Sequence, residues 1–125
     1  MINVVAGVIL NADNKILLAR KAPGKSLEGK WEFPGGKVEP DESPQEALKR
    51  ELREEFGMEV EVLEYVGANE HTYEDGPSIA LSAWFCKFLS GTFELTDHDA
   101  FEWVAEADLV DYDLAEADIP LVPMI

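Results

Sequence analysis

Residues 43–57, SPQEALKRELREEFG, mark both ends of a helix, and they constrain the chain more than any other stretch. Ser43 followed three residues later by Glu46 is a capping box, and Pro44 takes the first helical position, where its missing N–H costs nothing. Gly57 supplies a left-handed stop. Leu48, Leu52 and Phe56 repeat every four residues, an apolar stripe that belongs against a core. Beside that stripe Glu51, Glu54 and Glu55 lie three and four positions apart, so they crowd onto one face. Like charges at this spacing weaken a helix. Arg50 alone cannot offset three carboxylates, but an oxygen-seeking divalent cation can. Mg²⁺ suits best, because it is typically held by a few carboxylates together with substrate phosphates. The competing reading is a solvated acidic face.

Strand signals flank the helix. Val4–Leu10 is rich in β-branched residues and runs into the turn cluster Asn11–Asn14, with Lys15–Arg20 as the returning strand of a hairpin. Residues 21–30 read as a loop around Pro23, Gly24 and Gly29. Trp31-Glu32-Phe33 is short and extended, and Pro34-Gly35-Gly36 breaks it. After the helix, Glu59–Val66 alternates as a strand and Asn69–Tyr73 reads as another. Ser78–Leu89 is apolar on both faces, which places it inside a covered sheet. Gly91–Thr96 is a weak strand, and Phe101–Val104 leads to a short helix near Glu106–Leu109. The tail through Ala117-Asp118-Ile119-Pro120 carries apolar residues that tie it down. Strands on both sides of one helix, with a short helix near the end, imply an α/β (α+β) domain in which a mixed sheet is sandwiched between helices, α/β/α.

At 125 residues the expectation is a single domain spanning 1–125. The 26 acidic residues against 10 basic ones give a net charge of −16. That charge repels a nucleic-acid polymer and an anionic membrane surface, both of which are bound through cationic side chains. A free polyphosphate is also anionic and needs bridging metal ions. The lone Cys86 excludes an intrachain disulfide and reads as a small core residue. No apolar stretch approaches membrane-spanning length, and the N-terminus has no basic leader, so a cytoplasmic location is expected. Either a monomer or a homodimer is compatible with the sequence.

From Gly36 the chain reads G-x5-E-x7-R-E-U-x-E-E-x-G-U, U being apolar, carried by Gly36, Glu42, Arg50, Glu51, Leu52, Glu54, Glu55, Gly57 and Met58. This resembles the signature of the Nudix hydrolases at every constrained position. The resemblance implies the Nudix fold and hydrolysis of a nucleoside diphosphate linked to another group. It implies Mg²⁺, with Mn²⁺ possible, held by Glu51, Glu54, Glu55 and the carbonyl of Gly35. Gly36 lets the backbone approach closely, Arg50 orients the glutamates, and Glu42 supports the arrangement from outside it. Which glutamate accepts a proton stays open.

The resemblance extends along nearly the whole chain to MutT-like members, which cleave nucleoside triphosphates to a monophosphate and pyrophosphate. Lys30–Gly36 is similar to the segment before their signature. Arg20 and Lys21 match a basic pair expected near phosphates or base, and Phe33 is expected near the base or in plain core. Asp97, six residues before Trp103, stands where such members often carry a metal-binding Glu. His98 reads as a surface turn histidine, with a proton relay as the alternative, and His71 as structural. Asp118 stands where the base edge is contacted. Ionised, it only accepts hydrogen bonds, which suits the N4 amine of cytosine. The signature region and the tail look most similar to the CTP pyrophosphohydrolase branch. The expected substrate is therefore a free nucleotide, either 8-oxo-dGTP or a cytidine-type triphosphate, in a sanitising role. Hydrolysis of a nucleotide sugar or dinucleoside polyphosphate is the alternative, and a non-catalytic nucleotide-binding domain is a further one.

Overall fold

The computed structural model describes all residues from 1 to 125, and the marked helix forms where the sequence places it. Helix α1 runs Pro44–Phe56. Ser43 Oγ accepts from the Glu46 N–H at 3.1 Å, and the Glu46 carboxylate accepts from the Ser43 N–H at 3.0 Å. Gly57, at φ 59°, closes the last turn by donating to the Arg53 and Leu52 carbonyls.

Seven strands make one mixed sheet: β1 (Ile2–Leu10), β2 (Ile16–Lys21), β3 (Trp31–Glu32), β4 (Gly35–Lys37), β5 (Met58–Thr72), β6 (Ser78–Gly91) and β7 (His98–Val104). The main path is β3-β2-β1-β6-β5, with β4 on β1 and β7 on β2. Only β1 and β6 are parallel, paired along the full length of β1. Strands β1 and β2 meet at the Leu10–Ile16 end and then diverge. The segment Trp31–Lys37 fills the gap, pairing with β2 through β3 and with β1 through β4. The Gly7 N–H donates to the Pro34 carbonyl at 2.8 Å across this split. The Pro-Gly-Gly sequence hid β4, because glycine and proline disfavour strands. Here glycine is what lets β4 pair, since a β-carbon at Gly35 would overlap the Val5 backbone.

Alternation along the strands loads two cores, one on each face of the sheet. Val5, Ile9, Leu17, Ala19 and Cys86 face α1, meeting Leu48, Leu52 and Phe56. Ala6, Val8, Leu18, Leu81 and Ala83 face the other side, meeting Leu109, Leu114, Ala117 and Leu121. That second layer is built from two short 3₁₀ helices, Glu106–Asp111 and Ile119–Met124, where the layer pattern implied ordinary helix. The two strands expected between Glu59 and Tyr73 are one long strand, β5, whose register slips around Val62, Tyr65 and Gly67. Those bulges produce the break in alternation. The weak strand expected at Gly91–Thr96 does not form beyond Gly91, which ends β6. Phe93 takes φ 54° and stacks on Phe101 at 4.4 Å, so aromatic packing rather than a ladder holds this segment. No helix is long and apolar enough to cross a membrane.

Candidate active site

The split between β1 and β2 opens a cavity of about 530 Å³, within the range of small-ligand sites. Its wall brings together Lys21, Phe33, Gly35, Gly36, Glu51, Glu55 and Asp118. They come from β2, from the inserted segment, from α1 and from the C-terminal tail, so no short window of sequence contains the site.

Helix α1 supplies the acidic end. The Glu51 side chain is only 13% exposed, and a β-carbon at Gly36 would overlap its carboxylate. The glycine is what admits the acid. Glu55 is pushed up to about 8 by burial first, and then by the charges of Glu51, Asp97 and Glu32. A carboxyl so placed lacks positive charge nearby, and its neighbours are hard oxygen donors, the chemistry that Mg²⁺ or Mn²⁺ prefers. The donor set thus fits a divalent cation at Glu51 and Glu55. Glu54 and Asp97 stand differently. Glu54 is 60% exposed and accepts from Arg50 at 3.2 Å, and Asp97 pairs with Lys25 at 3.1 Å. Lys25 holds the Asp97 carboxyl below its usual range. No three His, Cys, Asp or Glu side chains therefore converge on one point.

Arg50 organises this end. Nε and Nη2 grip the two Glu42 oxygens at 2.7 and 2.9 Å, Nη2 also donates to the Lys37 carbonyl at 3.0 Å, and Nη1 reaches Glu51 and Glu54 at 2.9 and 3.2 Å. All five guanidinium donors are used. The Arg50 contact is also why the Glu42 carboxyl sits near pKa 2, while Glu42 in turn accepts from the Glu39 N–H and fixes the preceding loop.

The tail supplies the other end. Asp113–Ala115 runs beside Trp31, joined by bonds of 2.9 Å from the Trp31 N–H to the Asp113 carbonyl and from the Ala115 N–H to the Trp31 carbonyl. Asn69 of β5 and Tyr73, just beyond the end of that strand, grip both backbone groups of Ala117. This delivers Asp118, 7% exposed, to the Phe33 N–H at 2.9 Å. Burial and then the Glu32 charge push Asp118 up to about 8. The ionised, acceptor-only form expected from the sequence is therefore not the favoured one at neutral pH in the free protein. Phe33 is at once core, at 3% exposed, and cavity wall.

Two expectations meet different geometry. Arg20 does not line the cavity. It lies on the sheet face opposite Lys21, bonded to Asp99 at 2.7 Å and set over the Trp31 ring, because neighbours on a strand point to opposite faces. His98 is no surface histidine: it is 4% exposed and bonded to Glu32 at 2.7 Å. Glu32, a cavity residue, carries no periodic or motif signal of its own apart from its place before Phe33. His71, by contrast, pairs with Glu116 at 3.1 Å and packs on Tyr73, a bracing position. Cys86 is buried, which pushes its thiol up to about 12 and leaves it a core residue.

A family model described as the NUDIX domain matches residues 1–125. Over 122 residues the chain is 47% identical to the CTP pyrophosphohydrolase of Escherichia coli strain K12, covering 98% of this chain and 89% of that protein. It is 37% identical over 118 residues to a putative 8-oxo-dGTP diphosphatase 2 of Mycobacterium tuberculosis, covering 92% of this chain and 81% of the other. The solution structure of the E. coli ORF135 protein superimposes with a TM-score of 0.85 at 45% identity, covering 99% of this chain and 87% of that one.

Proposed function

The chain belongs to the NUDIX family, whose domain spans residues 1–125, and from that membership we propose a divalent-cation-dependent pyrophosphohydrolase that converts a free nucleoside triphosphate to its monophosphate and pyrophosphate. The enzyme is a Nudix hydrolase. The observation that carries the finer reading is the polarity of the cavity: carboxylates of α1 at one end, a buried Asp118 beside Phe33 at the other. A triphosphate laid along it puts phosphates by Glu51 and Glu55 and the base by Phe33 and Asp118.

Glu51 and Glu55, with the Gly35 carbonyl, are the groups that would hold Mg²⁺ or Mn²⁺, and Glu54 and Asp97 would join them only on release from Arg50 and Lys25. Bound there, the ion supplies charge neutralisation on phosphate oxygens and a more acidic water. The chain's own residues do the rest. Arg50 fixes the rotamers of Glu51 and Glu54, and Glu42 fixes Arg50. Lys21, on the cavity wall, is a cation in a mostly acidic surround and suits a phosphate oxygen. Phe33 offers an apolar wall to a base. Asp118 in its protonated form donates one hydrogen bond and still accepts another, so it matches a base edge that presents an acceptor beside an amine. Cytosine presents such an edge, and the similarity to a CTP pyrophosphohydrolase agrees with it. An oxidised guanine nucleotide is the second candidate, favoured by the 8-oxo-dGTP diphosphatase relatives.

The test is pyrophosphate release from CTP, dCTP, dGTP and 8-oxo-dGTP, each with Mg²⁺, with Mn²⁺ and with chelator. Turnover of a triphosphate that is lost with chelator is expected, with Glu55→Gln reduced by at least about a hundredfold while still folded. Cleavage confined to a nucleotide sugar or a dinucleoside polyphosphate would replace this reading.

A further inference from the structure

His98 has no part in the family signature, and its surroundings are costly. Its imidazole lies beneath the cavity wall, against the Phe56 ring at 5.0 Å and 30° between planes. Its side chain is 1% exposed. Nε2 is 2.7 Å from Glu32 Oε2, and Nδ1 is buried with no hydrogen-bond partner. A phenylalanine or leucine would fill the space beside Phe56 without an orphaned nitrogen. A buried polar atom left unpaired is unfavourable, so packing does not account for a histidine here. The contact with Glu32 does.

Glu32 is placed to matter. It lines the cavity between the two ends already described. Its charge is among the causes acting on Glu55 at the acidic end and on Asp118 at the tail end. No lysine or arginine pairs with its carboxylate, whose only hydrogen-bond partner in the chain is His98. Strand register explains the meeting. Ala19 of β2 pairs with Glu32 on one side, and Lys21 pairs with His98 on the other. The bulge between Arg20 and Lys21 shifts β7 by one step, bringing the His98 ring under β2 toward Glu32.

We propose that His98 is a positioning residue: its Nε2–H holds the Glu32 carboxylate in the cavity wall, where that carboxylate meets the nucleotide. The carboxylate can only accept, so Nε2 carries the proton. This rests on the nucleotide reading of the cavity, but the contact itself does not.

Two measurements decide it. The first is the ring-nitrogen NMR spectrum of His98 in the intact protein, with Nε2 protonated as the expected result. A bare Nε2 overturns the inference. The second is a cycle of His98→Phe, Glu32→Gln and the double variant, with KM and kcat read separately for the best triphosphate. His98→Phe is expected to lower kcat/KM about tenfold, mainly through KM, and to have no further effect once Glu32 is Gln. An equal loss in both backgrounds means a merely structural role and overturns it. His98→Gln keeps an N–H donor and is expected to stay within about threefold of the parent. It serves as the single variant if His98→Phe melts early. If the parent turns over no triphosphate, the functional reading falls, and the ring-nitrogen spectrum, which needs no substrate, decides the His98–Glu32 contact by itself.

Discussion

At the residue scale the site depends on two side chains whose surroundings do most of the chemistry. Arg50 spends every guanidinium proton on Glu42, Glu51, Glu54 and the Lys37 carbonyl. Lysine carries the charge without the planar fork. Arg50→Lys is therefore expected to lower kcat/KM by about 10–100-fold with little change in melting, checked by pyrophosphate release and thermal denaturation. Asp118 titrates in the folded protein near 8 against an ordinary 3.8. Its native form thus holds a proton that the unfolded chain has already lost above pH 4, and the contribution to stability falls as pH rises from about 4 to 8. Asp118→Asn removes that loss. The variant is expected to gain stability over the parent progressively across this window and to hold the gain above it, read by urea denaturation at a series of pH values. A difference that does not change with pH would mean that Asp118 is ionised in the fold throughout. The sequence showed which residue stands here, but not that burial beside Glu32 would keep a proton on it.

At the scale of elements, α1 was legible because its signals are local. Capping box, proline at the start and glycine at the stop act within a few residues, and the fold has nothing to override. Ser43→Ala is expected to cost about 1 kcal/mol. Gly57→Ala is expected to cost at least ~1 kcal/mol, from its positive φ, with a further loss because a β-carbon would overlap Thr92 Oγ1. Chemical denaturation measures both. Elements set by partners were less legible. Strand β4 exists because β1 lies within reach of two glycines, and β5 is one strand because β6 pairs along all of it despite the bulges. The segment after Gly91 lost its strand to a stack of Phe93 on Phe101, residues that are neighbours only in three dimensions.

For the whole molecule, net charge and site are linked. A charge of −16 opposes compaction, and the carboxylates at the cavity mouth concentrate that repulsion. A bound divalent ion relieves it only in the folded state. Millimolar Mg²⁺ or Mn²⁺ is therefore expected to raise Tm beyond the effect of equal ionic strength of NaCl, and Glu55→Gln to abolish the excess. Equal shifts in parent and variant would place the ion elsewhere. The sequence by itself determined what acts over short range: the helix and its ends, the acidic face, the alternation that loads two cores, and the family that the spacing of nine residues identifies. Tertiary structure decided what depends on distance across the chain. It put Glu32 against His98, sent Arg20 to the far face, turned Glu54 and Asp97 toward cations, and buried Asp118 until its proton stayed on. Periodicity reports which side of an element is wet, whereas charge state and hydrogen-bond partner depend on what other elements bring to that side, and only the packed chain contains that information.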